Sequence, residues 1–141
     1  MRIVPWLALY DGSTVALAYS FVLEELQSLL SPDRLRVRAM FGSHALYVDE
    51  KIVFIVRRKG DRDDGVWVAL SDPAHGTSLS KDFPSLRTIE MFGRKAFASW
   101  LNLPDGEDGF EEYALALCGL VRKRDPRIGK VPKGRKKRKR A

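Results

Sequence analysis

Apolar residues recur along this chain at two spacings, and the change from one to the other divides it into elements. Between 13 and 31, Val15, Ala18, Tyr19, Val22, Leu26, Leu29 and Leu30 follow at three- and four-residue steps, one stripe down the side of a helix. Glu24, Glu25, Gln27 and Ser28 fall off the stripe. Ser13 is suited to cap the first turn, and Pro32 disfavours helix at Ser31. From 35 to 40 the period drops to two: Leu35, Val37 and Ala39 alternate with Arg36, Arg38 and Met40, which predicts a strand with one buried face. A second strand, 44–48, follows Gly42, and Asp49-Glu50-Lys51 forms a short polar link. Residues 52–56 are apolar without interruption, the pattern of a central strand covered on both sides. A charged loop over 59–65 leads to a fourth strand at 66–70. Such short links predict antiparallel neighbours, a meander.

Ser71-Asp72-Pro73 is a helix-start signal for a short helix over about 73–83, ended by Pro84. Two further strands are expected at 88–91 and 95–103, and Pro104-Asp105-Gly106 is a turn. The last helix, about 108–124, places Phe110, Tyr113, Ala114, Leu117, Leu120 and Val121 on one face. Acids gather at its start and Arg122, Lys123 and Arg124 at its end, both complementing the helix dipole. The whole order predicts an α+β fold, an antiparallel sheet with helices packed on one face. Residues 1–12, with Ile3, Val4, Trp6 and Leu7 around Pro5, read as an N-terminal extension, 13–125 as the domain, and 126–141 as a basic tail.

Charge sharpens that last boundary. The chain of 141 residues has a formal net charge of +7, yet residues 1–128 hold 17 bases against all 18 acids. The excess comes from Lys130, Lys133, Arg135, Lys136, Lys137, Arg138, Lys139 and Arg140, with no acid among them. So few apolar groups cannot offset the entropy of ordering, so the tail is expected to be disordered when free. A polybasic tail predicts salt-sensitive, sequence-indifferent contact with nucleic acid. No apolar run is long enough for a membrane span. Arg2 ahead of apolar residues 3–10 and Ala16-Leu17-Ala18 have some features of a secretion leader, but Asp11 and Gly12 interrupt it. One cysteine, Cys118, excludes an internal disulfide and suits a reducing, cytoplasmic setting.

One phrase occurs twice: Met40-Phe41-Gly42-Ser43-His44-Ala45 and Met91-Phe92-Gly93-Arg94-Lys95-Ala96. Each sits where an extended segment turns, and glycine permits the bulge or tight turn needed there. Val37 to Gly42, leading into Ala45-Leu46-Tyr47-Val48-Asp49 and Lys51-Ile52-Val53-Phe54, resembles the N-terminal domain of the TfoX/Sxy family. Members show Met-Phe-Gly, a short strand, an Asp-Gly-Lys-like turn and another strand; here Glu50 replaces the glycine. Gly93-Arg94, then Ala96 to Leu101 and Leu103-Pro104, is similar to the family's second signature. The YjbR group is similar in outline. The resemblance spans about 14–125. It implies a secretion-chaperone-like fold ordered αβββαββα, a cytoplasmic protein, and no catalytic residues to transfer. Full-length TfoX regulators carry a second, helical domain that this chain lacks, so no role in competence follows. What the resemblance implies is a non-catalytic binding or regulatory adaptor.

The candidate sites follow from these features. The tail bases are the nucleic-acid candidates; without them the expectation is a protein-interaction module. Gly93, Arg94 and Lys95 form a possible anion nest. Met40, Phe41, Gly42, Met91, Phe92 and Gly93 are structural. His44 and His75 lack the clustered partners of a metal or catalytic site, so His44 is expected half-buried on a strand and His75 on a helix surface. Asp61, Asp63, Asp64 and Gly65 hint at a calcium loop, but the spacing fails and a charged hairpin loop is expected. Cys118 reads as a core or boundary residue. Trp67 and Trp100 lie on expected strands, and alternation puts Phe97 and Trp100 on opposite faces. An exposed aromatic there would favour a homodimer. No metal, cofactor or enzyme activity is expected.

Overall fold

A computed structural model describes residues 17–91 and 97–132. The elements are α1 (Ser20–Leu29), β1 (Leu35–Met40), β2 (Ser43–Val48), β3 (Lys51–Arg57), β4 (Gly65–Ala69), α2 (His75–Asp82), β5 (Arg87–Thr88), β6 (Trp100–Pro104) and α3 (Phe110–Arg122). The strands form one sheet in the order β1-β2-β3-β4-β6-β5, with every pair antiparallel. The fold is α+β, as the patterning predicts. Four strands precede α2, as the apolar run at 66–70 predicts and where the resemblance implies three: β4 folds back on β3 through Ile55↔Trp67 and Arg57↔Gly65.

The helices cover one face. Val22, Leu23 and Leu26 of α1 and Ala114, Leu117, Cys118 and Val121 of α3 are buried with Leu46, Val56, Val66, Val68 and Leu103 from the strands. The apolar run of β3 fills both sides of the sheet by means of a bulge. Leu46 pairs with Phe54 and Tyr47 with Ile52, leaving Val53 as the extra residue. Ile52 and Ile55 then serve the far face while Val53, Phe54 and Val56 serve the helix side.

Three expectations are corrected. The first helix begins at Ser20, not near 13; Ser13 lies outside the described residues. Tyr19 has φ 49°, left-handed backbone that an α-helix cannot contain. Tertiary contacts hold it there: its ring meets Phe110 edge-on at 5.2 Å, its hydroxyl donates to Asp105 Oδ2 at 2.5 Å, and the Arg58 guanidinium lies 4.6 Å from its ring centre. Burial first, then the Asp105 carboxylate, raises the Tyr19 pKa. Second, His44 is fully buried at 1% exposure, on the helix side beside Leu46. Third, Phe97 and Trp100 pack in one cluster. The strand starts only at Trp100, and 97–99 are turn, so two-residue alternation never applies to them.

The C-terminal segment also departs from expectation. Ile128 is buried and bridges Leu70, Gly129 N–H donates to the Ala69 carbonyl at 2.8 Å, and Lys130 exchanges backbone hydrogen bonds with Ile52. Arg127 anchors the approach on Asp125 and Asp82 at 2.8 and 3.0 Å. Residues 126–130 thus belong to the sheet, because one apolar side chain and a run of backbone donors find partners at the ends of β3 and β4.

Candidate functional site

Register identifies what occupies the face away from the helices. Residues directly opposite each other in a ladder share a face. Arg36 pairs with Tyr47, Arg38 with Ala45 and Met40 with Ser43; Ile55 pairs with Trp67, and Trp67 with Asn102. Ala45, Tyr47, Ile55 and Trp67 belong to a second buried cluster, distinct from the helix-covered core, against which Met40, Met91, Phe97 and Trp100 pack. Arg36 and Arg38 therefore stand on the aromatic face, Arg36 with its guanidinium 5.0 Å from the Tyr47 ring centre. Among the described residues, none of the six strands carries a carboxylate on either face; the acids near this face, Asp61 and Asp64, belong to the loop after β3.

At the β1–β2 end the face opens into a cavity of about 510 Å³. Trp67, Phe97 and Trp100 form its aromatic wall, with ring centres 5.2 and 6.3 Å from Trp67, and Met40 and Met91 add flexible apolar sides. Phe41 stands on the rim at 90% exposure, Lys59 brings positive charge, and Arg57, paired with aspartates, lies among the lining residues.

Local backbone geometry fixes the rim. Phe41 and Gly42 are the two loop residues between Met40 and Ser43, with φ 52° and 79°. Two consecutive left-handed residues make the hairpin turn whose twist matches that of the strands, so Met-Phe-Gly is a tight turn here, and it thrusts Phe41 outward. Lys59 Nζ donates to the Phe41 carbonyl at 2.8 Å, tying the 58–64 loop to the turn.

That loop is built on Arg57, whose side chain is 7% exposed. It donates to Asp61 Oδ2 at 2.9 Å and Asp64 Oδ1 at 3.1 Å, and its guanidinium lies 5.7 Å from the Trp67 ring centre. Asp64 also accepts from the amides of Lys59 and Gly60 at 2.8 and 2.7 Å. The hydrogen bond from Arg57 holds the Asp61 carboxyl down at about 2. Trp67 Nε1 donates to the Asp63 carbonyl at 2.8 Å, and Asn102 Nδ2 to that of Asp64 at 3.2 Å. The aspartates thus carry the structural role expected of a hairpin loop, and no acid, histidine or cysteine cluster suited to a metal ion occurs among the described residues.

The remaining predicted positions divide clearly. Met40, Phe41 and Met91 line the cavity and Gly42 completes the turn at its rim; Phe92, Gly93, Arg94 and Lys95 lie outside the described residues. Lys130 is placed, with its ammonium 6.0 Å from the Trp100 ring centre, whereas Lys133, Arg135, Lys136, Lys137, Arg138, Lys139 and Arg140 lie outside them. His44 is on the helix side and His75 opens α2, so the two are not brought together. Cys118 is wholly buried, and desolvation pushes its thiol up to about 12. Arg36, Arg38, Arg57 and Lys59 were not singled out from the sequence. Alternation already set Arg36, Arg38 and Met40 on one side, but only strand pairing reveals that no helix among the described residues covers this side.

Chemically, the cavity offers apolar and π surface with cationic donors at its mouth. Ser43 is the one hydroxyl among its described lining residues, and none of them is a histidine or a carboxylate. No helix among the described residues is long and apolar enough to cross a membrane. Comparison with known protein families, curated proteins and solved structures finds no match to this chain.

Proposed function

We propose that this chain is a non-catalytic binding adaptor of TfoX N-terminal type, cytoplasmic, that contacts nucleic acid without sequence preference through its basic tail and the sheet face opposite α1 and α3. The observation that carries the reading is the combination of Arg36, Arg38, Lys59 and Lys130 with aromatic side chains on one face of the sheet and its rim. Basic patches interleaved with aromatic rings suit a polyanion with π surface. The resemblance through the Met-Phe-Gly turn points the same way only in offering no catalytic role.

The test compares the full chain with one ended after Pro132, which keeps the Ile128–Lys130 pairing. Binding to labelled single-stranded and duplex DNA is followed across a salt series. Each phosphate neutralised contributes about 0.7 to 0.9 to the slope of log affinity against log salt. The truncated chain is expected to bind more weakly with a shallower slope, while retaining measurable affinity from the sheet face. Absence of binding by both chains refutes the reading. One observation favours a second reading, a protein-interaction module: Phe41, 90% exposed beside an apolar cavity, would suit a second copy or another protein. Sedimentation showing a stable dimer that buries Phe41, with no retention on nucleic acid, selects it.

A further inference from the structure

The cavity on the sheet face and Lys130 beside it together narrow the class of nucleic acid. The cavity of about 510 Å³ lies within the range of small-ligand sites, about 300–1,000 Å³, and is mostly apolar with a few polar groups at its edge. Its aromatic wall is held open from behind. Trp67 is anchored through Nε1 to the Asp63 carbonyl, and the loop carrying that carbonyl is fastened by Arg57 to Asp61 and Asp64. Phe41 projects from a turn whose carbonyl is held by Lys59. An ammonium has three donors, and this contact accounts for one, so Lys59 can still meet an anion at the mouth.

The second observation is independent. The Lys130 backbone pairs with Ile52, and its ammonium lies against Trp100, itself a wall of the cavity. The chain continues through Val131 and Pro132 into nine residues, of which seven are basic. Nine residues span at most about 30 Å. Lys130, where these residues join the sheet, thus stands beside the aromatic cavity, on the face with Arg36 and Arg38.

Resting on the nucleic-acid reading above, we propose that the ligand is a single strand, with an unpaired base seated in the cavity against Trp100 and Phe41 and the flanking phosphates met by Lys59, Arg38 and Lys130. A base within a duplex is stacked on both sides and cannot offer its faces to a protein ring without unpairing. An unpaired base offers them freely, and aromatic side chains accept any base.

The test uses the full chain and oligothymidylate of roughly a dozen nucleotides, against a duplex of the same length. The single strand is expected to bind about tenfold more tightly. Phe41→Asn removes the ring while keeping a residue that tolerates left-handed backbone, so the turn survives; a thermal unfolding curve checks this. This variant is expected to lose about tenfold in single-strand affinity, bringing it to the level of the duplex. Lys59→Gln is expected to lower single-strand affinity and its salt slope together. Equal affinity for both nucleic acids, or a folded Phe41→Asn variant that keeps the preference, overturns the base-in-cavity proposal and leaves the tail-contact reading intact. Failure of the full chain to bind either nucleic acid overturns both.

Discussion

Replacing Gly65 by alanine tests the contact that brings β6 against β4 and so holds the loop behind the cavity. Gly65 has φ +144°, and a Cβ built there would lie 2.1 Å from the Leu103 carbonyl oxygen, 2.7 Å from Asn102 Oδ1 and 2.9 Å from the Leu103 carbonyl carbon. Ordinary contact begins near 3.4 Å, so backbone must move by more than an ångström where Gly65 pairs with Pro104. Two costs combine: backbone strain of about 1–3 kcal/mol and disrupted strand pairing of about 1–2 kcal/mol. The expected loss is about 4 kcal/mol, a large share of the stability of a domain this size. Gly60 supplies the control. Its φ is +94°, but nothing lies within 4 Å of where a methyl would stand, so Gly60→Ala bears strain alone, about 1–2 kcal/mol. Gly42, with φ +79°, is intermediate: its Cβ would meet only Lys59, with Nζ at 3.0 Å, the end of a flexible side chain. Urea unfolding followed by tryptophan fluorescence gives all three values, provided the denaturant slope is unchanged. The predicted order of loss is Gly65, then Gly42, then Gly60. A Gly65→Ala variant within about 1 kcal/mol of Gly60→Ala would refute the collision and the close β4–β6 packing inferred from it.

Other outcomes follow from the same network and from the core. Asp64→Ala deprives Arg57 of a partner and strands the Lys59 and Gly60 amides, so thermal unfolding should register a loss of about 3 kcal/mol. The Asp61 carboxyl, lowered to about 2 by its hydrogen bond from Arg57, stabilises the fold above the ordinary carboxylate pKa near 4 and loses that contribution as pH falls towards 2. Stability measured against pH should therefore drop across that window in the wild type and less so in Asp61→Asn; its half-exposed side chain makes the difference modest. Cys118, wholly buried with its thiol pushed up to about 12, should resist iodoacetamide in mildly alkaline buffer until denaturant is added. Alkylation of the native chain at the rate of the unfolded one would contradict that burial.

Local pattern made some of this legible and tertiary contact hid the rest. The run 52–56 declares a central strand because both its faces are buried, and α3 declares itself because its apolar stripe meets only the core. Met40-Phe41-Gly42 reads as a turn because glycine marks a left-handed position. By contrast, α1 begins only at Ser20 for a reason 86 residues away, the Asp105 carboxylate that holds Tyr19. Ile128 sits in a polar context that suggests a tail, and only the open ends of β3 and β4 give it a place. The candidate site is legible in halves. Alternation sets Arg36, Arg38 and Met40 together, and composition isolates the basic tail. Their meeting depends on Lys130 pairing with Ile52, a contact between residues 78 apart that no periodicity encodes.

The near-neutral count of residues 1–128 argues against a binding face only if the free charges are evenly mixed, and here they are partly sorted: Asp61 and Asp64, the acids beside the cavity, are both taken up by Arg57. Glu24 of α1 and Asp105, Asp108, Glu111 and Glu112 at the start of α3 are exposed on the helix side. Arg36, Arg38, Lys59 and Lys130 belong to the opposite side of the sheet or its rim. A helix layer stands about 10 Å from a sheet, roughly one Debye length at physiological salt. An approaching phosphate on the sheet side therefore feels Arg36, Arg38, Lys59 and Lys130 more strongly than the α1 and α3 acids screened behind the sheet. Summing the charges cancels what the fold separates, and the strand-borne arginines become effective because β1 turns its alternate residues away from the helices.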